Sequence, residues 1–164
     1  SKSPANAGLE GIAIDCENQK LFIAQERAPR ALAIVDLKTN KIVKIGATSI
    51  QKENIHPDYA DLFFIDEHLY VLERNTHKIL KLDPTSLELL DTVSYSKLTD
   101  QLKTNELYAT DKPFGLAEAL FIDKESIYLG LDNNQLNFSN KAKVILSIKG
   151  NNSAILRFKR PEDF

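Results

Sequence analysis

With 164 residues the chain is long enough to bury one ordinary core, so size alone calls for a single domain that needs no covalent staple. Hydrophobic residues make up 43% and charged residues 27%, which excludes a disordered or fibrous protein. The 21 Lys and Arg nearly cancel the 23 Asp and Glu, no basic run tracks a phosphate backbone, and no apolar stretch approaches the roughly 20 residues of a membrane-spanning helix, so neither a nucleic-acid partner nor a membrane span is expected.

In chain order, "SKSPANAG" reads as the ragged start of a processed or trimmed chain. A first unit follows, over about 8–46. It begins with "GLEGIAIDCENQKLFIAQER" from Gly8, two apolar runs around a polar turn, and continues with "RALAIVDL" and "NKIVKIG" around a turn at Lys38 to Asn40. Cys16, the one cysteine, falls in the first turn, which rules out an internal disulfide and gives a catalytic thiol little support. A second unit, about 58–95, repeats the pattern with "DYADLFFIDEHLYVLERN", "HKILKLD" and "SLELLDTVS". The third, about 114–160, does so with "FGLAEALFIDKESIYLGLDNN", an inserted polar loop from Asn133 to Lys141, "AKVILSIK" and "SAILRFKR". The connectors from Gly46 to Asp58 and from Ser96 to Lys112 link the units, and only the latter has room for a short helix.

Each unit is thus a predicted four-stranded antiparallel meander, with twelve strands in all. Four-stranded units of this length repeated in series predict an all-β, propeller-like fold in which blades pack face to face around a channel. Propellers typically have four to eight blades, so three make a partial propeller: part of a longer chain, one half of a pair of copies, or an open stack.

The segments "GLEGIAID…LFIAQER", "ADLFFIDEHLYVLERN" and "GLAEALFIDKESIYLGLDNN" resemble the later blades of the phytase-like esterase propellers and the related SdiA-regulated proteins. The resemblance covers most of the chain. It implies a bacterial, periplasmic or secreted protein, and the C-terminal half of a six-bladed propeller whose first blades lie outside this sequence. It fixes no reaction, because fold does not determine chemistry.

Two residue sets could carry function. Glu10, Asp61 and Glu118 each stand five residues before an aspartate, Asp15, Asp66 and Asp123. If the first strand of every blade lines the channel, these acids converge there. They then either share a hard cation, Ca2+ being the natural choice for oxygen ligands, or brace backbone amides of the neighbouring blade. The second set lies where the second strands end: Glu26 with Arg27, Glu73 with Arg74 and Asn75, and Asp132 with Asn133 and Asn134. Arg27 and Arg74 could hold a phosphate or carboxylate through paired donors, or form an intra- or inter-blade Glu–Arg ion pair at the surface. His56, His68 and His77 lack metal-ligand spacing, and no nucleophile elbow, P-loop or dinucleotide fingerprint is present.

Three functions are compatible with these residues. The first is a binding propeller, calcium-assisted or not, for a small anionic molecule. The second is a calcium-dependent phosphoric-ester hydrolase of the phytase-like kind, in which the metal binds phosphate and activates water. The third is a protein-interaction scaffold, prone to self-association or to pairing with the missing half of a propeller through exposed blade faces.

Overall fold

A computed structural model describes residues 8–26, 30–47, 58–110 and 116–164. Blade 1 is a four-stranded antiparallel meander of β1 (Leu9–Asp15), β2 (Lys20–Gln25), β3 (Ala31–Asp36) and β4 (Lys41–Gly46). Blade 2 repeats it with β5 (Tyr59–Ile65), β6 (His68–Glu73), β7 (Lys78–Leu82) and β8 (Leu89–Ser94). A small hairpin follows, β9 (Lys97–Thr99) with β10 (Leu102–Lys103), and then a single 3-10 turn at Thr104–Glu106. Blade 3 is a three-stranded sheet of β11 (Ala117–Ile122), β12 (Ser126–Leu131) and β13 (Ala154–Lys159). The chain is therefore an all-β partial propeller, as the repeats predict.

Aspartates punctuate the strands. Asp15, Asp36, Asp83 and Asp123 each accept backbone N–H groups two or three residues on, at 2.6 to 3.0 Å, so the side chain closes the turn that ends its strand. Blade 2 departs from this pattern at its first turn. Ile65 pairs directly with His68, leaving a two-residue hairpin of Asp66 and Glu67, both with positive φ (50° and 59°).

In each blade, alternate strand residues face opposite neighbours. Leu62, Leu69, Val71, Leu80 and Leu82 of blade 2 pack with Phe22, Ala24, Leu32 and Ile34 of blade 1. From the other face of blade 2, Tyr70, Leu72 and Ile79 join Leu120, Ile122, Ile127 and Leu129 of blade 3 in a second core. Blade 2 is thus covered on both sides, which is why "HLYVLE" is buried at nearly every position instead of alternating. The first strands lie side by side, β1 against β5 and β5 against β11, as propeller inner strands do.

One predicted strand is a helix. The run "AKVILSIK" forms α1 (Asn140–Leu146) in place of a third blade-3 strand, and β13 pairs directly with β12. Ser139 caps this helix, its Oγ accepting the Ala142 N–H at 3.0 Å while donating to the Glu106 carbonyl at 2.6 Å. Lys141 reaches Glu106 at 2.8 Å, and Tyr108 stacks on Phe138 with ring centroids 5.0 Å apart. These contacts dock the helix against the connector after the small hairpin, so the local cap and the tertiary seat together override the strand-like composition. The connector from Ser96 to Lys112, which has room for a short helix, holds the small hairpin and the single 3-10 turn up to the last described residue, Thr110. The connector from Gly46 to Asp58 lies mostly outside the described residues.

Candidate functional site

The second strands end on one rim, and there the side chain of Arg74 ties the blades together. Its Nη2 donates to Glu26 of blade 1, as one half of a buried ion pair, and to Asp58 Oδ2 at 3.0 Å; its Nη1 donates to Glu118 Oε1 of blade 3 at 2.5 Å. Asn75 Nδ2 adds a bond to the same Asp58 oxygen at 3.0 Å. Burial opposes the charge on Arg74, yet its bonds to Asp58, Glu118 and Glu26 hold its pKa above the usual arginine value. The backbone of this corner is fixed from below by Tyr95, whose hydroxyl donates to the carbonyls of Glu73 and Arg74 at 3.3 and 3.2 Å.

Strand registers explain why these groups meet. Each first strand carries one bulged residue near its start: Glu10 lies between Leu9 and Gly11, Ala60 between Tyr59 and Asp61, and Glu118 between Ala117 and Ala119. Glu10, Ala60 and Glu118 are therefore equivalent, whereas Asp61 matches Gly11 and Ala119. The equal five-residue spacing in sequence conceals this one-residue offset, because the blade 2 hairpin turns one residue late. The same offset runs along the second strands. Glu26, Arg74 and Asp132 are the equivalent residues, each giving its N–H to the residue before the first strand, Gly8, Asp58 or Leu116. The Glu26–Arg74 ion pair thus joins two copies of one position bearing opposite charges.

Each candidate residue can now be placed. Asp61 braces two strands, its Oδ1 accepting its neighbour Leu62 N–H at 2.8 Å and its Oδ2 accepting Leu120 N–H from blade 3 at 2.8 Å. Burial raises its pKa against those two bonds. Glu10 is exposed, and Glu118 keeps 38% of its side chain accessible beside Arg74. Burial raises the pKa of Glu118; Arg74 opposes the rise, and Glu26 and Glu10 add to it. Among the described residues, no group of three His, Cys, Asp or Glu side chains is placed to hold a metal ion. Both Asp61 oxygens are bonded to amides, so Asp61 serves as a brace between β5 and β11 and not as part of such a group.

Glu73 is buried, and Thr76 Oγ1, in the turn that follows it, donates to its Oε2 at 2.9 Å. Arg27 lies outside the described residues. In blade 3, Asp132 Oδ1 accepts Asn134 N–H at 3.0 Å, and Asn133 donates through Nδ2 to the Asn151 carbonyl, so these side chains shape their own loop. The sequence reading assigned no role to Asp58 or Tyr95. Asp58 had a signal, being an acid where the other units have Gly8 and Leu116; Tyr95 had none, since its role depends on tertiary placement.

The chemistry of the rim follows from charge. One guanidinium faces three carboxylates, Glu26, Asp58 and Glu118, and the Glu10 carboxylate lies close enough to act on Glu118. An anion approaching Arg74 would have to displace carboxylates already bonded to both of its terminal nitrogens. A positively charged group would meet the accessible carboxylate of Glu118 directly.

The sequence profile of the SdiA-regulated family matches residues 1–129. No curated protein sequence matches the chain at a significant level. Solved structures with the same fold include a luciferin-regenerating enzyme (TM-score 0.51, 15% identity, covering 91% of this chain and 44% of that one). Two others are the WD40 domain of Neurospora crassa Pan2 (0.50, 11%, covering 79% and 36%) and Saccharomyces cerevisiae Sqt1 (0.50, 8%, covering 94% and 32%). The chain spans less than half the length of each. At such identities the likeness concerns fold alone.

Proposed function

The chain belongs to the SdiA-regulated family, and from that premise we propose that it works as a binding propeller whose rim around Arg74 receives a positively charged group, an amine or a guanidinium, from its ligand. The observation that carries this reading is the convergence of Glu26, Asp58 and Glu118 on one arginine, with Glu118 still accessible and Glu10 nearby. Arg74 organises the acids and gives the rim its shape; Glu118 and Glu10 supply the attraction. The blades hold these groups rigidly, which limits the ordering cost of binding.

Calorimetric titration with spermidine and arginine amide, set beside citrate and inorganic phosphate at matched ionic strength, tests the reading. The cations are expected to bind, and Glu10→Gln, which leaves the Arg74 bonds intact, is expected to weaken them about fivefold, as loss of one partly exposed charge does. Tighter binding of citrate or phosphate than of either cation would reverse the assignment, and unchanged cation affinity in Glu10→Gln would remove the rim from it.

A further inference from the structure

An open pocket of about 870 Å³ lies at the ends of the strands opposite Arg74. The first hairpin turn of blade 2 contributes Asp66, that of blade 3 contributes Lys124 and Glu125, and the end of β13 with the residues after it supplies most of the rest. Ser126 and Pro161 apart, every described lining residue is charged. The volume is that of a small-molecule site, but such sites are mostly apolar, and a pocket walled by ions suits an ion.

Two arginines line it, and the fold engages them differently. Arg160 is fully used: its Nε donates to the Phe164 carbonyl at 2.6 Å, its Nη1 to Asp66 and to the Asp123 carbonyl at 2.9 and 3.0 Å, and its Nη2 to the Tyr70 hydroxyl at 3.0 Å. Arg157 uses Nε alone, which donates to Ser126 Oγ at 2.9 Å. Ser126 is 1% exposed, and Asp123 Oδ1 accepts its N–H at 2.7 Å, so this anchor is fixed. The Arg157 guanidinium also stands over the Tyr128 ring, 5.8 Å from its centroid. Asp123 is close enough to feel Arg157, but its Oδ1 accepts the amides of Glu125 and Ser126. Among the described residues the terminal nitrogens of Arg157 have no hydrogen-bond partner, and its side chain makes no ion pair. The fork that fits two oxygens of an oxyanion is thus oriented from behind and open in front.

Lys159 stands two residues further along β13, on the same face and about 7 Å away by strand geometry. Lys124 enters from the turn between β11 and β12. Neither lysine makes an ion pair among the described residues, so an anion would relieve the repulsion between these cations. We propose that this pocket binds the phosphate group of a small phosphate monoester, Arg157 bonding two of its oxygens through Nη1 and Nη2 while Lys159 and Lys124 balance its second charge. A single carboxylate would leave the lysines unmatched, whereas a phosphate monoester carries nearly two charges at neutral pH. Glu125 and Glu162 border the same pocket and repel a ligand with further anionic groups, which selects against a polyanion.

Calorimetric titration of the chain with glycerol 3-phosphate, set beside acetate and citrate at matched ionic strength, tests the site. Glycerol 3-phosphate is expected to bind more tightly than either. Arg157→Gln should weaken it about tenfold or more, and Arg157→Lys should not restore it, since lysine keeps the charge and loses the fork. Ser126→Ala, which removes the anchor and no charge, should weaken it several-fold. Lys159→Gln, on an exposed face, should also weaken it at an unchanged melting temperature, whereas Lys44→Gln, an exposed lysine of blade 1, should leave it as it was. Acetate or citrate binding as tightly would overturn the choice of phosphate. Unchanged affinity in Arg157→Gln and Lys159→Gln would overturn the site, and a loss in Lys44→Gln equal to that in Arg157→Gln would reduce the binding to general charge attraction. Phosphate affinity that survives in Arg157→Gln belongs to another surface, so this pocket is read apart from the Arg74 rim.

Discussion

Glu73 ends the second strand of blade 2 fully enclosed, with Thr76 donating to one of its oxygens. Burial raises its pKa, and Thr76, Arg30 and Lys78 pull against the rise. Asp61 and Glu118 are raised for the same leading reason. A carboxyl whose folded pKa lies above its unfolded value binds more protons in the native state throughout the interval between the two. Stability therefore falls as pH rises through that interval, from the ordinary carboxylate range upward. The exposed turn aspartates act oppositely: hydrogen bonds lower Asp36, Asp83 and Asp123, so their contribution is present above the ordinary range and lost only at more acid pH. Burial lowers the pKa of His77, so that group adds stability as pH rises through the histidine range and opposes the carboxyls there. Melting temperatures of Glu73→Gln should therefore gain on those of the wild type as pH rises above the ordinary carboxylate range. Parallel curves for the two proteins would mean that Glu73 carries no raised proton affinity.

At the level of elements, the closest approach is between the inner strands. A Cβ on Gly11 would sit 2.9 Å from both the backbone nitrogen and the Cγ of Leu62 and 3.0 Å from the carbonyl carbon of Asp61, so β1 and β5 run too close to admit a side chain there. Gly11→Ala is expected to cost roughly 1–3 kcal/mol, as overpacking does, and to loosen blade 1 from blade 2. Chemical denaturation with limited proteolysis checks both parts, and a variant as stable and resistant as the wild type would contradict the packing. The strands themselves were legible because β-branched and aromatic runs alternate with turn aspartates. Their register was not: a two-residue hairpin at Asp66 and Glu67 replaces a longer turn, and the resulting one-residue slip leaves the sequence spacing of the acids intact while moving Asp61 to a different place. The helix at 140–146 was misread for a related reason, since a short apolar run fits either period, although Ser139 before it was an available capping signal. Of the rim, sequence indicated Glu26 and Arg74 as charged strand ends but could not show that they pair with each other across blades, nor that Asp58 and Tyr95 complete the corner.

Across the whole molecule, stability should be graded from blade to blade. Neighbouring units in a repeat fold stabilise one another through their shared faces, so a blade covered twice is held more firmly than one covered once. Blade 2 is covered on both sides, and β6 and β7 contribute Leu69, Tyr70, Val71, Leu72, Ile79, Leu80 and Leu82 to the two cores. Blade 1 shares one face only, and its outer strand β4 is exposed at every residue but the last. Blade 3 shares one face with blade 2 and is further held through Arg160, which donates to Asp66 at 2.9 Å and to the Tyr70 hydroxyl at 3.0 Å. Amide exchange under native conditions should then be slowest in β6 and β7, intermediate in β12, and fastest among the strands in β4, whose amides open without disturbing either core. Arg160→Ala should lower protection in blade 3 and leave β2 and β3 unchanged, because its hydrogen-bond partners among the described residues, Asp66, Tyr70, Asp123 and Phe164, all lie outside blade 1. Uniform protection across the three blades, or a loss in β2 and β3 equal to that in β12, would instead mark the chain as one cooperative unit in which the blade faces do not set local stability.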